Sequence, residues 1–181
     1  LHSACELVGA LAPAAVSKPA LPRLRAIAGS AVCTAALYAA FREAGLEYGP
    51  TYQTLGGAWA GDGGSFSVAR LRRPPGTSQG VLIHPADLDG ALQLSTLLVR
   101  SNTGELRLPF MVGEAALLAA SGRLVAAAER EESDRMGVML STMGKDAPAM
   151  AKLSGFESRV LKAMAAPEVA RDLHMYVTQW E

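Results

Sequence analysis

The segment PADLDGALQLSTLLVR, which runs from Pro85 to Arg100, has the strongest helical pattern in this chain. Apolar and small residues return at the three- and four-residue spacing of one helix face, at Leu88, Ala91, Leu92, Ser95 and Leu98. Pro85 suits the start of such a helix, because the first helical position needs no backbone N–H. The sequence therefore predicts a long helix here, with one face directed at a core.

The segments on either side of this helix predict the rest of the fold. A shorter helix is expected from Cys33 to Ala44, ended by Gly45, and a hairpin from Leu46–Ala60 and Ser65–Leu71. Short apolar runs separated by glycines predict antiparallel strands at Leu106–Leu108, Ala115–Leu118, Leu124–Ala128, Val138–Ser141 and Ala149–Val160. This order of elements predicts an α+β fold with the helices packed on one face of a sheet.

Length and charge limit the possible functions. The 181 residues suit one domain or slightly more, and 50% of them are hydrophobic, as in a globular protein. Seventeen basic side chains balance 17 acidic ones. A protein that binds the phosphate backbone of a nucleic acid needs an excess of Lys and Arg, so we expect no nucleic-acid partner.

Cysteine content and hydropathy give no sign of a disulfide framework, a metal site or a membrane span. The two cysteines, Cys5 and Cys33, form no Cys-x-x-Cys arrangement. The longest charge-free stretch, Ala26–Phe41, falls short of the roughly 20 apolar residues that cross a bilayer. The chain begins at Leu1 without an initiator methionine or a leader, so we expect a part of a longer, cytoplasmic polypeptide.

One pair of polar residues on the long helix is equipped for acid catalysis. Asp89 and Gln93 lie four residues apart, and therefore on the same side of the helix, among leucines. Burial raises the pKa of a carboxyl group, and an amide one turn away can hold it by a hydrogen bond. The spacing alone is also compatible with a solvated acid beside an exposed amide.

Three motifs, read together, extend this interpretation. The string His84–Gln93 fits HPxxxDxxxQ, Tyr48–Tyr52 fits YGPxF with Tyr52 at the usual Phe position, and Leu108–Phe110 reads LPF. In their order along the chain, these motifs resemble those of the dehydratase domain of modular polyketide synthases. In that family two hotdog folds are fused, each a curved antiparallel sheet wrapped around a long central helix.

The resemblance implies a division of the chain into three parts. Residues 1–32 resemble the end of the preceding hotdog and the linker between the two hotdogs. Residues 33–160 resemble the second, C-terminal hotdog, and residues 161–181 resemble the linker that follows the dehydratase.

The resemblance also implies roles for individual residues. Asp89 would be the catalytic acid and Gln93 its hydrogen-bonding partner. Tyr48 would line the pocket, the His-Pro pair would position the helix start, and the LPF tripeptide would form tunnel wall beside the acyl chain. The full set of residues expected to bind substrate is Tyr48, Gly49, Pro50, His84, Pro85, Leu88, Leu108, Pro109 and Phe110.

The function that this resemblance implies is elimination of water from a 3-hydroxyacyl chain on an acyl carrier protein, to give a 2-enoyl thioester. No cofactor is implied, because the phosphopantetheine arm belongs to the substrate. The expected partners are the carrier protein, the preceding hotdog, other synthase domains and, in the full synthase, a second copy in a homodimer.

One departure from the family leaves alternatives open. The family's catalytic histidine stands in an HxxxGxxxxP motif on the first hotdog, and His2, His84 and His174 all lack that pattern. Dehydration needs a base as well as an acid, so the chain is expected to be incomplete without the preceding hotdog. The alternatives are a non-catalytic structural or dimerisation hotdog, and a double-bond isomerase, pyran-forming or product-template relative.

Overall fold

The predicted helices and strands are present in a computed structural model, which describes residues 30–72, 81–98, 107–118, 122–131, 135–143 and 149–160. The two α-helices are α1 (Thr34–Glu43) and α2 (Pro85–Leu94), and a 3-10 turn, Ser95–Leu98, continues α2. The strands are β1 (Ser30–Val32), β2 (Leu55–Ala60), β3 (Phe66–Leu71), β4 (Arg107–Met111), β5 (Glu114–Leu117), β6 (Leu124–Arg130), β7 (Met136–Thr142) and β8 (Ala149–Val160). Both predicted linkers, apart from β1, lie outside the described residues.

The strands form one antiparallel sheet in the order β1-β2-β3-β6-β7-β8-β4, and β5 also pairs with β8. The hairpin of β2 and β3 places Trp59 opposite Val68. After β3 the chain forms α2, β4 and β5 before β6 returns to pair with β3, where Val68 faces Ala127. The helix α2 is therefore inserted between two neighbouring strands of the sheet.

The core lies between α2 and the sheet. The helix packs against β2, β3, β6 and β7. Its buried apolar side chains include Ala91, Leu94 and, on the 3-10 turn, Leu98, which form one cluster with strand residues such as Leu124 and Leu140. Ala126 and Ala128 on β6 are small, which lets the helix lie close to the strands. The predicted α+β arrangement is confirmed.

Polar groups hold both ends of this central helix. His84 is the N-cap residue, and its Nδ1 accepts a hydrogen bond from the Ala86 backbone N–H at 3.1 Å. At the other end, the Ser67 hydroxyl donates to the Leu94 carbonyl at 3.1 Å, and the Arg130 guanidinium donates to the Leu98 carbonyl. Carbonyl groups that a helix end leaves unpaired are thus bonded to β3 and β6.

A glycine allows the segment before β2 to approach the middle of α2. A Cβ atom at Gly90 would overlap the hydroxyl oxygen of Thr54. Thr54 is buried and donates to the Ala86 carbonyl at 3.3 Å. This contact holds the segment that contains Tyr52 against α2 at Gly90, the residue next to Asp89.

Three details differ from the sequence prediction. The sheet begins at Ser30, because β1 pairs with β2, so the folded unit starts before residue 33. The first hairpin strand begins at Leu55 instead of Leu46, because the Gly49 carbonyl accepts from the backbone N–H of Tyr52 and closes a turn. Pro50 favours that turn through its restricted φ angle. The α-helical part of α2 ends at Leu94, and Val99 and Arg100 lie outside the described residues.

Candidate active site

The carboxyl group of Asp89 and the amide of Gln93 form the centre of the candidate site. They project from α2 one turn apart, and Gln93 Nε2 donates a hydrogen bond of 2.7 Å to Asp89 Oδ2. Gln93 is buried and Asp89 is half-buried. Burial raises the pKa of the Asp89 carboxyl above its ordinary value, and the hydrogen bond from Gln93 offsets part of that shift.

Further partners of the Gln93 amide come from distant parts of the sequence. The Tyr38 hydroxyl, on α1, donates to Gln93 Oε1 at 2.9 Å. Gln93 Nε2 also donates to the backbone carbonyl of Tyr52 at 3.0 Å. Tyr38 in turn accepts a hydrogen bond of 3.0 Å from the Leu55 N–H at the start of β2. The amide is therefore held on both sides.

Tyr48 lies in the same cluster and contributes a second hydroxyl group. Its ring packs edge-on against Tyr38 and Phe41, with centroids 6.2 and 5.3 Å apart. Burial raises the pKa of Tyr48 to about 12, and the Asp89 charge adds to the rise while a hydrogen bond from Gln93 lowers it. The Tyr48 hydroxyl therefore stays protonated at neutral pH and can donate a hydrogen bond.

The other predicted site residues near the helix occupy three positions. Gly49 and Pro50 form the exposed turn between Tyr48 and β2. His84 and Pro85 begin α2, and the His84 Nδ1 atom is used by the helix cap. Leu88 is half-buried and packs against the core cluster.

The LPF tripeptide lies elsewhere in the fold. Leu108, Pro109 and Phe110 belong to β4, at the end of the strand order, whereas α2 packs on β2, β3, β6 and β7. Phe110 is 49% exposed, and the Arg159 guanidinium lies 3.3 Å from its ring centroid. None of the hydrogen bonds and ring contacts described for this part of the chain joins the tripeptide to Asp89. Its predicted role as tunnel wall stays a prediction.

Sequence reasoning missed Tyr38, Thr54 and the carbonyl of Tyr52. Tyr38 and Phe41 are spaced three residues apart and form the buried side of α1, a signal that the sequence does contain. A backbone carbonyl carries no sequence signal, because every residue has one. In the described segments, no group of three or more His, Cys, Asp or Glu side chains is arranged to hold a metal ion. No helix in those segments is long and apolar enough to cross a membrane.

Two curated relatives share sequence with this chain. Naringenin synthase from Pestalotiopsis fici is 30% identical over 157 residues, which cover 82% of this chain and 6% of the relative. Polyketide synthase GfsE from Streptomyces halstedii is 32% identical over 119 residues, which cover 64% of this chain and 3% of the relative. The chain thus spans a small fraction of the length of both relatives.

Solved dehydratase structures share the fold. The dehydratase domain from the CurF module of curacin polyketide synthase superimposes with a TM-score of 0.72 at 23% identity, over 81% of this chain and 53% of that one. A dehydratase structure from work on the borrelidin and fluvirucin polyketide synthases has a TM-score of 0.69 at 26% identity, over 82% of this chain and 53% of that one. The predicted hotdog fold is confirmed.

A family model described as the polyketide synthase dehydratase N-terminal domain matches residues 16–168. That description names the N-terminal domain, whereas the motifs in this chain resemble the second hotdog, so the choice between the two halves stays a prediction. The match spans most of the chain and includes Tyr48, Asp89 and Gln93. By this match and by its fold, the chain belongs to the polyketide synthase dehydratase family.

Proposed function

We propose that this chain is the acid-bearing hotdog of a polyketide synthase dehydratase. It would eliminate water from a 3-hydroxyacyl thioester on an acyl carrier protein to give the 2-enoyl thioester. The observation that carries the proposal is the Asp89 carboxyl group. It is half-buried, its pKa is raised, and its Oδ2 atom accepts a hydrogen bond of 2.7 Å from Gln93 Nε2. A neutral carboxyl group in such a setting is a general acid near neutral pH.

The proposed step moves two protons. A base removes the proton from the α carbon, and the electrons of that C–H bond form the new double bond. The bond between the β carbon and its hydroxyl oxygen breaks, and the oxygen leaves as water with the proton of Asp89. The hydrogen bond from Gln93 then stabilises the carboxylate that remains, and the Tyr48 hydroxyl would donate to the substrate hydroxyl.

The base is proposed to come from another domain. No histidine in this sequence stands in the HxxxGxxxxP pattern, and the Nδ1 atom of His84 caps α2. We assign the base to the preceding hotdog, and this chain to the second one. The carrier protein and a second copy of the synthase complete the proposed set of partners, and no cofactor is needed.

The test compares two substitutions in a polypeptide that holds both hotdogs. Asp89→Asn keeps the shape of the side chain but has no acidic proton, so turnover should fall by about 10² to 10⁴. Gln93→Ala should cost less, because it removes only the hydrogen bond that orients the acid. Turnover is measured as mass loss of water from a 3-hydroxyacyl carrier-protein thioester.

Near-normal turnover by Asp89→Asn would reject Asp89 as the acid and favour the structural hotdog. If the parent polypeptide releases no water but moves a double bond or closes a ring, and Asp89→Asn abolishes that reaction, the isomerase or pyran-forming relatives would be favoured.

The second test asks whether the base is external. The 181-residue chain alone should not dehydrate this thioester, because it lacks the base. Adding a hotdog domain that carries the histidine motif should restore turnover. Robust turnover by the chain alone would contradict the split site.

A further inference from the structure

The orientation of the Gln93 side chain decides how Asp89 can hold its proton. An amide side chain has an accepting oxygen on one side and a donating NH2 group on the other. Gln93 is only 3% exposed, so water cannot replace a lost partner. The groups around the amide must therefore fix which end faces Asp89.

Two backbone groups fix the direction of the whole hydrogen-bond chain. At one end the Leu55 N–H can only donate, and it donates to the Tyr38 hydroxyl at 3.0 Å. At the other end the Tyr52 carbonyl can only accept, and it accepts from Gln93 Nε2 at 3.0 Å. Every bond between these ends must run in the same direction.

Tyr38 is the link through which this direction reaches the amide. Its hydroxyl oxygen accepts from Leu55, so its single proton goes to Gln93 Oε1, 2.9 Å away. Burial raises the pKa of Tyr38, so the hydroxyl keeps that proton at neutral pH. With Oε1 engaged, the NH2 group of Gln93 faces Asp89 Oδ2 at 2.7 Å.

A reversed amide would disturb this arrangement at every contact. Its NH2 group would meet the Tyr38 hydroxyl and leave the Tyr38 proton without an acceptor in a buried place. Its oxygen would face the Tyr52 carbonyl, with no proton between two acceptors. The same oxygen would also accept the proton of a neutral Asp89 and compete with the substrate for it.

We propose that Tyr38 is a positioning residue, whose hydroxyl holds the Gln93 amide in the orientation that leaves the Asp89 proton on Oδ1. The Oδ2 atom accepts from Gln93, so Oδ1 is the oxygen that carries the transferable proton. The effect on turnover rests on the proposed function above, whereas the orientation of the amide does not.

The first experiment follows the Asp89 carboxyl carbon by NMR, with aspartate labelled in the full chain and Asp89→Asn used to assign the signal. Tyr38→Phe keeps the ring and removes the hydroxyl, so Gln93 Oε1 loses its donor and only the Tyr52 carbonyl still opposes reversal of the amide. The pKa of Asp89 should then rise, because in the reversed fraction the carboxylate loses a donor and the neutral acid gains an acceptor. The other titratable or charged groups of this cluster are Tyr48, Tyr38 itself and Arg72.

Two further variants separate positioning from packing. The rings of Phe41 and Tyr38 are in contact, with their centroids 6.0 Å apart. Phe41→Leu removes that ring contact but none of the groups in the hydrogen-bond chain. It should not move the Asp89 titration. Tyr38→Phe added to Gln93→Ala should cause no further shift, because Tyr38 acts through Gln93. An unchanged titration in Tyr38→Phe, or an equal shift in the Gln93→Ala background, overturns the proposal.

The second experiment measures turnover in the two-hotdog polypeptide. Tyr38→Phe should lower kcat on the order of tenfold, the scale of one lost hydrogen bond, with KM unchanged. A shifted Asp89 titration together with normal turnover in Asp89→Asn would refute the proposed function and keep the positioning role. A shifted titration with normal kcat in Tyr38→Phe alone would reject the link between this orientation and catalysis.

Discussion

Asp89 is a residue at which folding and chemistry have opposite requirements. A carboxyl group on a half-buried helix face is stable when it is neutral and costs free energy when it is charged. The same burial raises the pKa of the carboxyl group, so it keeps a proton to donate up to a higher pH than a free aspartic acid does. The proposed activity therefore uses a group that lowers the stability of the fold above the pKa of the free acid.

This conflict predicts a pH-dependent effect of Asp89→Asn on stability. The pKa of Asp89 lies above its ordinary value of 3.8 in the folded chain, so the folded state binds more protons than the unfolded state between these two pKa values. Below the unfolded-state pKa, Asp89 makes its whole contribution to the free energy of unfolding. That contribution is lost as the pH rises through the pKa of the folded state. Asn cannot ionise, so Asp89→Asn should become increasingly stabilising as the pH rises.

The measurement is urea unfolding of both proteins from pH 3 to pH 8. Asp62→Asn is the matched control, because Asp62 is an exposed acid in the turn after β2. A constant difference between Asp89→Asn and the parent across this range would contradict the argument.

Tyr52 shows how a departure from the family motif leaves the site intact. It stands at the position where the motif has Phe, and its side chain is 39% exposed. The contact with Gln93 is made by the Tyr52 backbone carbonyl. The additional hydroxyl of tyrosine therefore does not interfere with this hydrogen bond.

At the scale of elements, the position of α2 against the segment before β2 depends on Gly90. Since a Cβ atom there would overlap the Thr54 hydroxyl oxygen, Gly90→Ala should destabilise the chain by about 1 to 3 kcal/mol. It should also lower turnover in the two-hotdog polypeptide, because the displaced segment carries the Tyr52 carbonyl. Urea unfolding and the thioester assay check the two effects.

A double variant and a control test the cause of this loss. Thr54→Ala removes the overlapping atom, so Gly90→Ala with Thr54→Ala should be less destabilised than the sum of the two single variants. Gly49→Ala should change stability by less than about 0.5 kcal/mol, because a Cβ atom there meets nothing within 4 Å. Strict additivity would show that the contact with Thr54 is not the reason.

At the scale of the whole molecule, β4 forms an edge with an apolar surface. It lies at the end of the strand order, and its residues Phe110 and Met111 are 49% and 37% exposed, as is Val112 directly after the strand, at 40%. An edge strand with exposed apolar side chains can pair with another sheet. This edge therefore suits contact with another domain.

The isolated chain should accordingly self-associate through β4. Met111→Lys with Val112→Lys should lower the average mass in light scattering at high concentration, because charge at an edge opposes pairing. Leu82→Lys is the control, since Leu82 is 58% exposed but precedes α2 and lies on no strand. A parent chain that stays monomeric at all concentrations would contradict this expectation.

The sequence alone determined the elements and the central pair of the site. Helix and strand periods, Pro85 at a helix start and Gly45 at a helix end are local signals, because each depends on residues within a few positions. Asp89 and Gln93 are one turn apart on the same helix, so spacing placed them on one side of it, and the resemblance to the family implied their hydrogen bond. Three motifs in order were enough to recognise the family.

The tertiary structure decided which distant groups meet these residues. Gln93 contacts Tyr38 and the Tyr52 carbonyl across 55 and 41 positions of sequence, and β3 pairs with β6 around an inserted helix. Such contacts depend on how α2 packs on the sheet, and the local spacing of apolar residues carries no information about that packing. A backbone carbonyl is present at every residue, so only the folded chain shows which one the amide binds. The direction of the hydrogen bonds at Asp89 is therefore a property of the packed molecule.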